Sequence, residues 1–437
     1  MTDIHITREL LEAVSRGEVP ERFLAQAGMQ HLANLCPFCR EEIQAWEARK
    51  TARPEYEYVF QALPSVLARH APEIEARWRR AEEDLGALLV VPREERRARI
   101  ERARSRFRGP YLAELLIRES RRCLPGDPGE AFHRAELARF IIHRSPGTPE
   151  SFSLVALASA CMANARRAGG ELREAEEHFQ YVRYVVTHQG VTDPLVVAQI
   201  DHLEGSLRKD QRRFSEAEEL LARAVMLFRL SGARIEAARV LLTLGSTYFS
   251  QGLLSRAIET VGAALRDLPV EIEPRLFLYG RHNLAVYMAE AGRYGEAADL
   301  LSVDADLYER FSDPWLQLHV SWLQGKIAAG VGDVPAAERL FTETRDGFVR
   351  QGIGYDAAMV SLDLALLYLK EGRTGEVRRV AEEMVPIFSA QDVHREATAA
   401  LVLFQDAARR EEVTAEMVRE VAAYLEAARG RPEMRFR

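Results

Sequence analysis

The residues best suited to chemistry lie near the start of the chain. They read His31-x4-Cys36-x2-Cys39, with His5 placed 26 residues before His31. Thiolates and imidazoles are the ligands of tetrahedral zinc, and two cysteines separated by two residues put both sulfurs on one ion. A helix carrying Phe23, Leu24, Ala27, His31 and Leu32 would present His31 from its C-terminal end, and His5 would reach in from the element before it. A segment of about 50 residues has too little core to stand alone, so a metal would act there as a staple. Two other readings stay open for Cys36 and Cys39: a pair of free thiols, or a redox dithiol, although no strand–helix–strand pattern surrounds them.

A second cluster is cationic. Arg93, Arg96, Arg97, Arg99, Arg102, Arg104, Arg106 and Arg108 face only Glu94, Glu95 and Glu101. A phosphate-binding helix is one use for such a run. The run has no interleaved aromatics and no helix-turn-helix pattern, and its glutamates offer local ion pairs. A solvated helix, or one docked on an acidic partner, is the expectation, and nucleic acid is not expected as a partner.

Enzyme signatures are missing from the sequence. Gly325-Lys326 is followed by Ile327 and has no upstream glycine of a phosphate loop, and there is neither a Gly-x-Ser-x-Gly elbow nor a His-Glu-x2-His pair. Cys123 and Cys161 fall in helical text and read as packing residues. The chain is read as a non-enzyme. Its 437 residues are 47% hydrophobic and 29% charged, too apolar for a disordered protein and too charged for a membrane bundle. The longest aliphatic run, near Leu88 to Val91, is far below the ~18 residues that span a bilayer. The net charge of −7 names no partner. The first residues lack a secretion-signal pattern, so a cytoplasmic protein is expected.

The elements that must carry these residues announce themselves by period. Gly252, Gly292, Gly332 and Gly372 are 40 residues apart. Five residues after each stands a slim side chain: Ala257, Ala297, Ala337 and Val377. The phase runs backwards through Ala217, Ala175 and Ala131, and Pro194, Pro274 and Pro314 share another. Between the markers, apolar residues recur at helical spacing, as in Ala238 to Tyr248. Each unit therefore reads as helix, tight turn, helix, with about 17 residues per helix, or ~25 Å, and with the glycine closing the first helix in a left-handed conformation. The slim residue lets two antiparallel helices approach.

Leu244-Gly245-x2-Tyr248 followed by Ala257 resembles the tetratricopeptide repeat, and Gly205 with Ala217 and Gly325 with Ala337 keep the same spacing of 12. The period here is 40 rather than about 34, so both helices are longer. The resemblance implies an all-α, right-handed solenoid of about seven helical hairpins over residues 109–390, with capping helices in 391–437. Before it, residues 51–108 read as a connector of three helices, near Tyr56 to His70, Pro72 to Val90 and Arg93 to Phe107, and residues 1–50 as the metal module. It also implies a groove lined by the first helices, three and six residues before the glycine-like position and one after it. Those positions are Gln199, His202, Arg239, Leu242, Tyr279, His282, His319, Trp322 and Lys326, with Asn283 beside His282. An aromatic and cationic groove suits an extended protein or peptide segment with acidic groups or a free C-terminal carboxylate.

The N-terminal segment is similar to zinc-binding anti-sigma domains, with one residue more between His31 and Cys36 than that family has. The similarity implies His5, His31, Cys36 and Cys39 as four zinc ligands and Arg40 to Ile43 as the start of the next helix. The function implied is a regulatory adaptor that holds one partner in the groove and a second on the N-terminal module. Two alternatives are a sigma-sequestering switch and a docking subunit, or substrate, of a multi-protein protease or nuclease system. Elemental analysis of the purified full chain should find one zinc per chain, lost in a Cys36→Ser/Cys39→Ser double variant. No zinc in protein prepared without chelator would refute the module.

Overall fold

In a computed structural model the described residues are 54–103, 106–144, 149–311, 313–390 and 395–428. His5, His31, Cys36 and Cys39 lie outside them. The described residues are helical, in two compact units that divide between Thr243 and Leu244.

In the first unit, α1 (Pro54–Leu89) and α2 (Arg93–Arg102) precede a run of hairpins. These are α3 (Pro110–Cys123) with α4 (Pro128–His143), α5 (Pro149–Ala168) with α6 (Leu172–His188), and α7 (Pro194–Asp210) with α8 (Phe214–Leu230). Then α9 (Arg234–Ser250) carries the chain across the unit boundary. The second unit continues with α10 (Leu254–Arg266), α11 (Pro274–Glu290), α12 (Tyr294–Val303), α13 (Ala305–Arg310), α14 (Pro314–Val331), α15 (Val334–Arg350), α16 (Gly354–Lys370) and α17 (Thr374–Ala390). Two further helices, α18 (Arg395–Arg409) and α19 (Ala415–Ala428), end it, and α19 packs on α16 and α18.

The helix starts and stops follow from residue chemistry. Asp127, Asp193 and Asp313 cap α4, α7 and α14 by accepting from backbone N–H groups, each just before a proline in the first turn, where a missing N–H costs nothing. Gly252 and Gly292 both have φ of 76°. The N–H of Leu253 and of Arg293, just past them, reaches back to the carbonyls of Tyr248 and Met288 at 2.9 and 2.8 Å. The slim residues of the repeat phase are fully covered: Ala131, Ala175, Ala217, Ala257, Ala297 and Ala337 are each 0% exposed.

Within a hairpin the two helices meet where the first has no side chain. A Cβ on Gly205, Gly245 or Gly325 would lie 2.8, 2.5 or 2.7 Å from Leu221, Val261 or Phe341 respectively. The knob is always 16 residues after its glycine, on the second helix. This close approach sets the geometry of these three hairpins and hence what their first helices present.

Three features differ from the sequence expectation. Helix α1 is continuous through Pro64 and Pro72, where two helices were expected; a proline removes one backbone hydrogen bond and bends a helix without always ending it. The second helix of the fifth hairpin is not one element of about 17 residues. It breaks at Asp304, a buried carboxylate that accepts from Arg281 Nε at 2.6 Å, so α12 and α13 are separate. The arginine-rich helix stops at Arg102, with Ala103 extended.

Gly262, within α10, has open space where a Cβ would stand. Gly245→Ala should lower the denaturant midpoint by an equivalent of about 1–3 kcal/mol, through overpacking against Val261. Gly262→Ala should raise it by about 0.5–1 kcal/mol, through helix propensity alone. Equal effects from the two would refute the hairpin contact as described.

Candidate functional site

The first helices of successive hairpins are joined by polar contacts about one repeat apart. In the first unit, His202 Nε2 on α7 lies 3.0 Å from Thr243 Oγ1 on α9, 41 residues on. In the second unit, Lys326 Nζ on α14 donates to Glu290 Oε1 on α11 at 2.6 Å, 36 residues back. Trp322 Nε1 donates to Asp363 Oδ2 on α16 at 2.6 Å, 41 residues on. His319 Nε2 stands 3.8 Å from Asp356 Oδ2 on the same helix. Such a ladder is possible only if these residues share one face of their unit. Apolar knobs from the second helices pack close beside these positions, as Phe341 does at Gly325.

In the first unit, Gln199, His202 and Arg239 line one small recess together with Arg121 and Glu236. Arg121 Nη1, on α3, donates to Gln199 Oε1 at 3.1 Å, spanning 78 residues of sequence. Burial pushes the His202 imidazole down to about 3, and the neighbouring charges of Arg121, Arg239, Arg167 and Lys209 act in the same direction. His202 is therefore a neutral hydrogen-bonding group on a cationic face. Arg167 and Lys209 share Asp210, at 2.6 and 3.3 Å.

In the second unit the chemistry is different. Burial alone would lower the Lys326 pKa, and the carboxylates of Asp363 and Glu290 reverse this and hold it above the ordinary lysine value. Lys326 also lies 5.5 Å over the Trp322 ring. Its charge is thus met from both sides by acids that no local pattern reveals. Asp356 and Asp363 make this face more acidic than the sequence positions alone suggested.

His282 Nδ1 sits 3.1 Å from the Tyr308 hydroxyl of its own hairpin, and burial pushes its imidazole down to about 4. Arg281 is bound to Asp304, and Asn283 is partly buried. Two of the three polar residues at 281–283 are therefore engaged inside the hairpin. Tyr279 is 51% exposed and offers its ring to solvent.

Sequence reasoning missed Trp315. It is 49% exposed, packs tilted on His319 with ring centroids 4.1 Å apart, and extends the stripe His319, Trp322, Lys326 by one turn. Its signal was present as an aromatic four residues before His319.

The arginine-rich stretch is largely structural. Arg96 is 7% exposed, donates to the carbonyls of Val91 and Leu89 and reaches Glu130 at 2.6 Å. Arg106 binds Asp84 at 2.5 Å, and Arg97 covers the Phe140 ring. These contacts tie the helices before the repeats to the first hairpin. Cys161 is buried, which pushes its thiol up to about 11 and away from reactivity. Among the described residues no group of three His, Cys, Asp or Glu could hold a metal ion, and no helix is long and apolar enough to cross a membrane.

No family model matches the sequence, and no curated protein matches it. Among solved structures the chain is similar to a Rap protein complexed with Competence and Sporulation Factor. The identity is 12%, covering 74% of this chain and 88% of that one, with a TM-score of 0.55. It is also similar to the apo form of RapI at 11% identity, covering 72% of this chain and 87% of that one, with a TM-score of 0.52. At such identities the likeness is one of fold, and it supports a tetratricopeptide-like helical-repeat solenoid.

The folded chain keeps His202 neutral down to about 3, while an unfolded chain protonates it near the ordinary histidine value of 6.5. The unfolded state therefore takes up this proton first, and stability falls as pH drops through that window. Urea midpoints at neutral and at mildly acid pH should show a smaller acid loss in His202→Gln than in the wild type. An equal loss would show that His202 is not held neutral.

Proposed function

We propose that the chain is a non-enzymatic regulatory adaptor that holds extended segments of a protein or peptide partner on the ladder face that first helices form within each unit. The observation that carries this reading is the one-repeat polar ladder flanked by exposed aromatics. Glu290, Lys326, Trp322 and Asp363 fix one another, while Tyr279 and Trp315 beside them stay about half exposed. Fixed polar groups beside open aromatic rings suit recognition of an extended backbone and its side chains. On the first unit, the cationic surroundings of His202 favour carboxylates of the partner. The likeness in fold to a Rap protein complexed with Competence and Sporulation Factor supports a binding role for such a solenoid.

The segment with His5, His31, Cys36 and Cys39 would add a zinc-stapled module for a second partner; its support is the donor set alone. Sigma factors and effector enzymes remain candidate partners on the same footing.

The test is comparative capture from cells that express the tagged full chain. Tyr279→Ala/Trp315→Ala should lose by at least about tenfold the partners that the wild type retains. Both rings are half exposed, so the denaturant midpoint should stay at the wild-type value. Capture unchanged in the double variant would overturn the ladder face as the binding surface.

A further inference from the structure

We propose a second, independent docking site on the side of the first unit built by the second helices of its hairpins. It would take a protein segment that sets an aromatic or leucine side chain among carboxylates. The C-terminal end of α4, the start of α5 and the second half of α6 enclose a cleft of about 280 Å³. That volume admits one large side chain. Its floor is apolar, with Ile142, Phe152, Val155 and Val185. One wall is Tyr181 and Tyr184, which are 36% and 55% exposed on a helix whose other aromatic ring, Phe179, is 0% exposed. Two tyrosines three residues apart, beside an apolar cleft, form a contact surface rather than scattered exposure.

The surroundings of the cleft are cationic. The Arg139 guanidinium lies 5.8 Å over the Tyr181 ring, and that of Arg144 lies 5.5 Å over Phe140. Their contacts are with rings, and among the described residues no carboxylate pairs with either of them. Burial and the Arg139 charge both lower the pKa of His143, at the cleft's edge. A guanidinium on an aromatic face keeps its N–H edges available for a bidentate carboxylate. Apolar floor, tyrosine wall and unmatched guanidiniums together select an acidic segment with one large apolar side chain, and they disfavour a basic one. The helix surface that carries them is not the ladder face, so the site stands apart from the function proposed above.

The test pans a phage-displayed library of random peptides against the full chain, then measures a synthetic copy of an enriched sequence by fluorescence anisotropy. Enriched peptides should carry an aromatic residue or leucine flanked by Asp or Glu. Binding should fall about tenfold in Tyr184→Ala and in Arg139→Glu, and should weaken as salt rises. It should be unchanged in Tyr279→Ala/Trp315→Ala. Tyr184 is exposed and Arg139 half-buried, and Tyr181→Ala serves in place of any variant whose denaturant midpoint moves. Absence of enrichment, enrichment of peptides without acidic residues, or binding that ignores Tyr184 and Arg139 would overturn the proposal. Peptides lost only in the Tyr279/Trp315 variant would report the ladder face, which overturns this site and leaves the other reading standing.

Discussion

Everything the first helices present depends on how closely each is clasped by its partner. At Gly205, Gly245 and Gly325 the clasp leaves no room for even one methyl group beside Leu221, Val261 and Phe341. Close contact of this kind fixes rotation as well as distance, because turning the first helix would drive a neighbouring Cβ into the same knob. The rotation decides which residues meet the next hairpin. Trp322 and Lys326 can share Asp363 only because Gly325, between them on α14, is locked against Phe341.

The two units use the same scaffold to build faces of opposite character. Around His202 the neighbouring charges are cationic, and the imidazole answers by staying neutral. Around Lys326 the neighbours are carboxylates, and the ammonium is held charged despite burial. At His202 burial acts first and the surrounding cations add to it, whereas at Lys326 carboxylates about one repeat away on either side overcome burial.

This explains what was legible in the sequence. Period and turn chemistry were, because they are local: a left-handed glycine at Gly252 and a phased proline at Pro194 each act within a few residues. The positions along each first helix were legible too, since a repeat fixes them. Their partners were not. The bond of Arg281 to Asp304, which comes with a broken second helix, and the meeting of His282 with Tyr308 depend on where two helices cross. The apolar cleft beside Tyr181 and Tyr184 was invisible for a related reason. Repeat logic treats second helices as packing elements, and the cleft exists only where three helix ends leave a gap.

The ladder also bears on how the chain comes off the ribosome. Nearly every rung joins residues about one repeat apart, so a hairpin finds its partners soon after it emerges. Such a polypeptide can set its structure progressively from its first hairpin, without waiting for a distant strand or a closing segment. The bond from Arg121 to Gln199 spans 78 residues and comes later in that order, since α7 must be made before α3 gains it. Until then the first two hairpins rest on contacts that do not involve α7, such as Ser120 to the Ala131 carbonyl and Arg134 to Glu119. Synthesis thus leaves a brief interval in which the cationic face around His202 is assembled only in part.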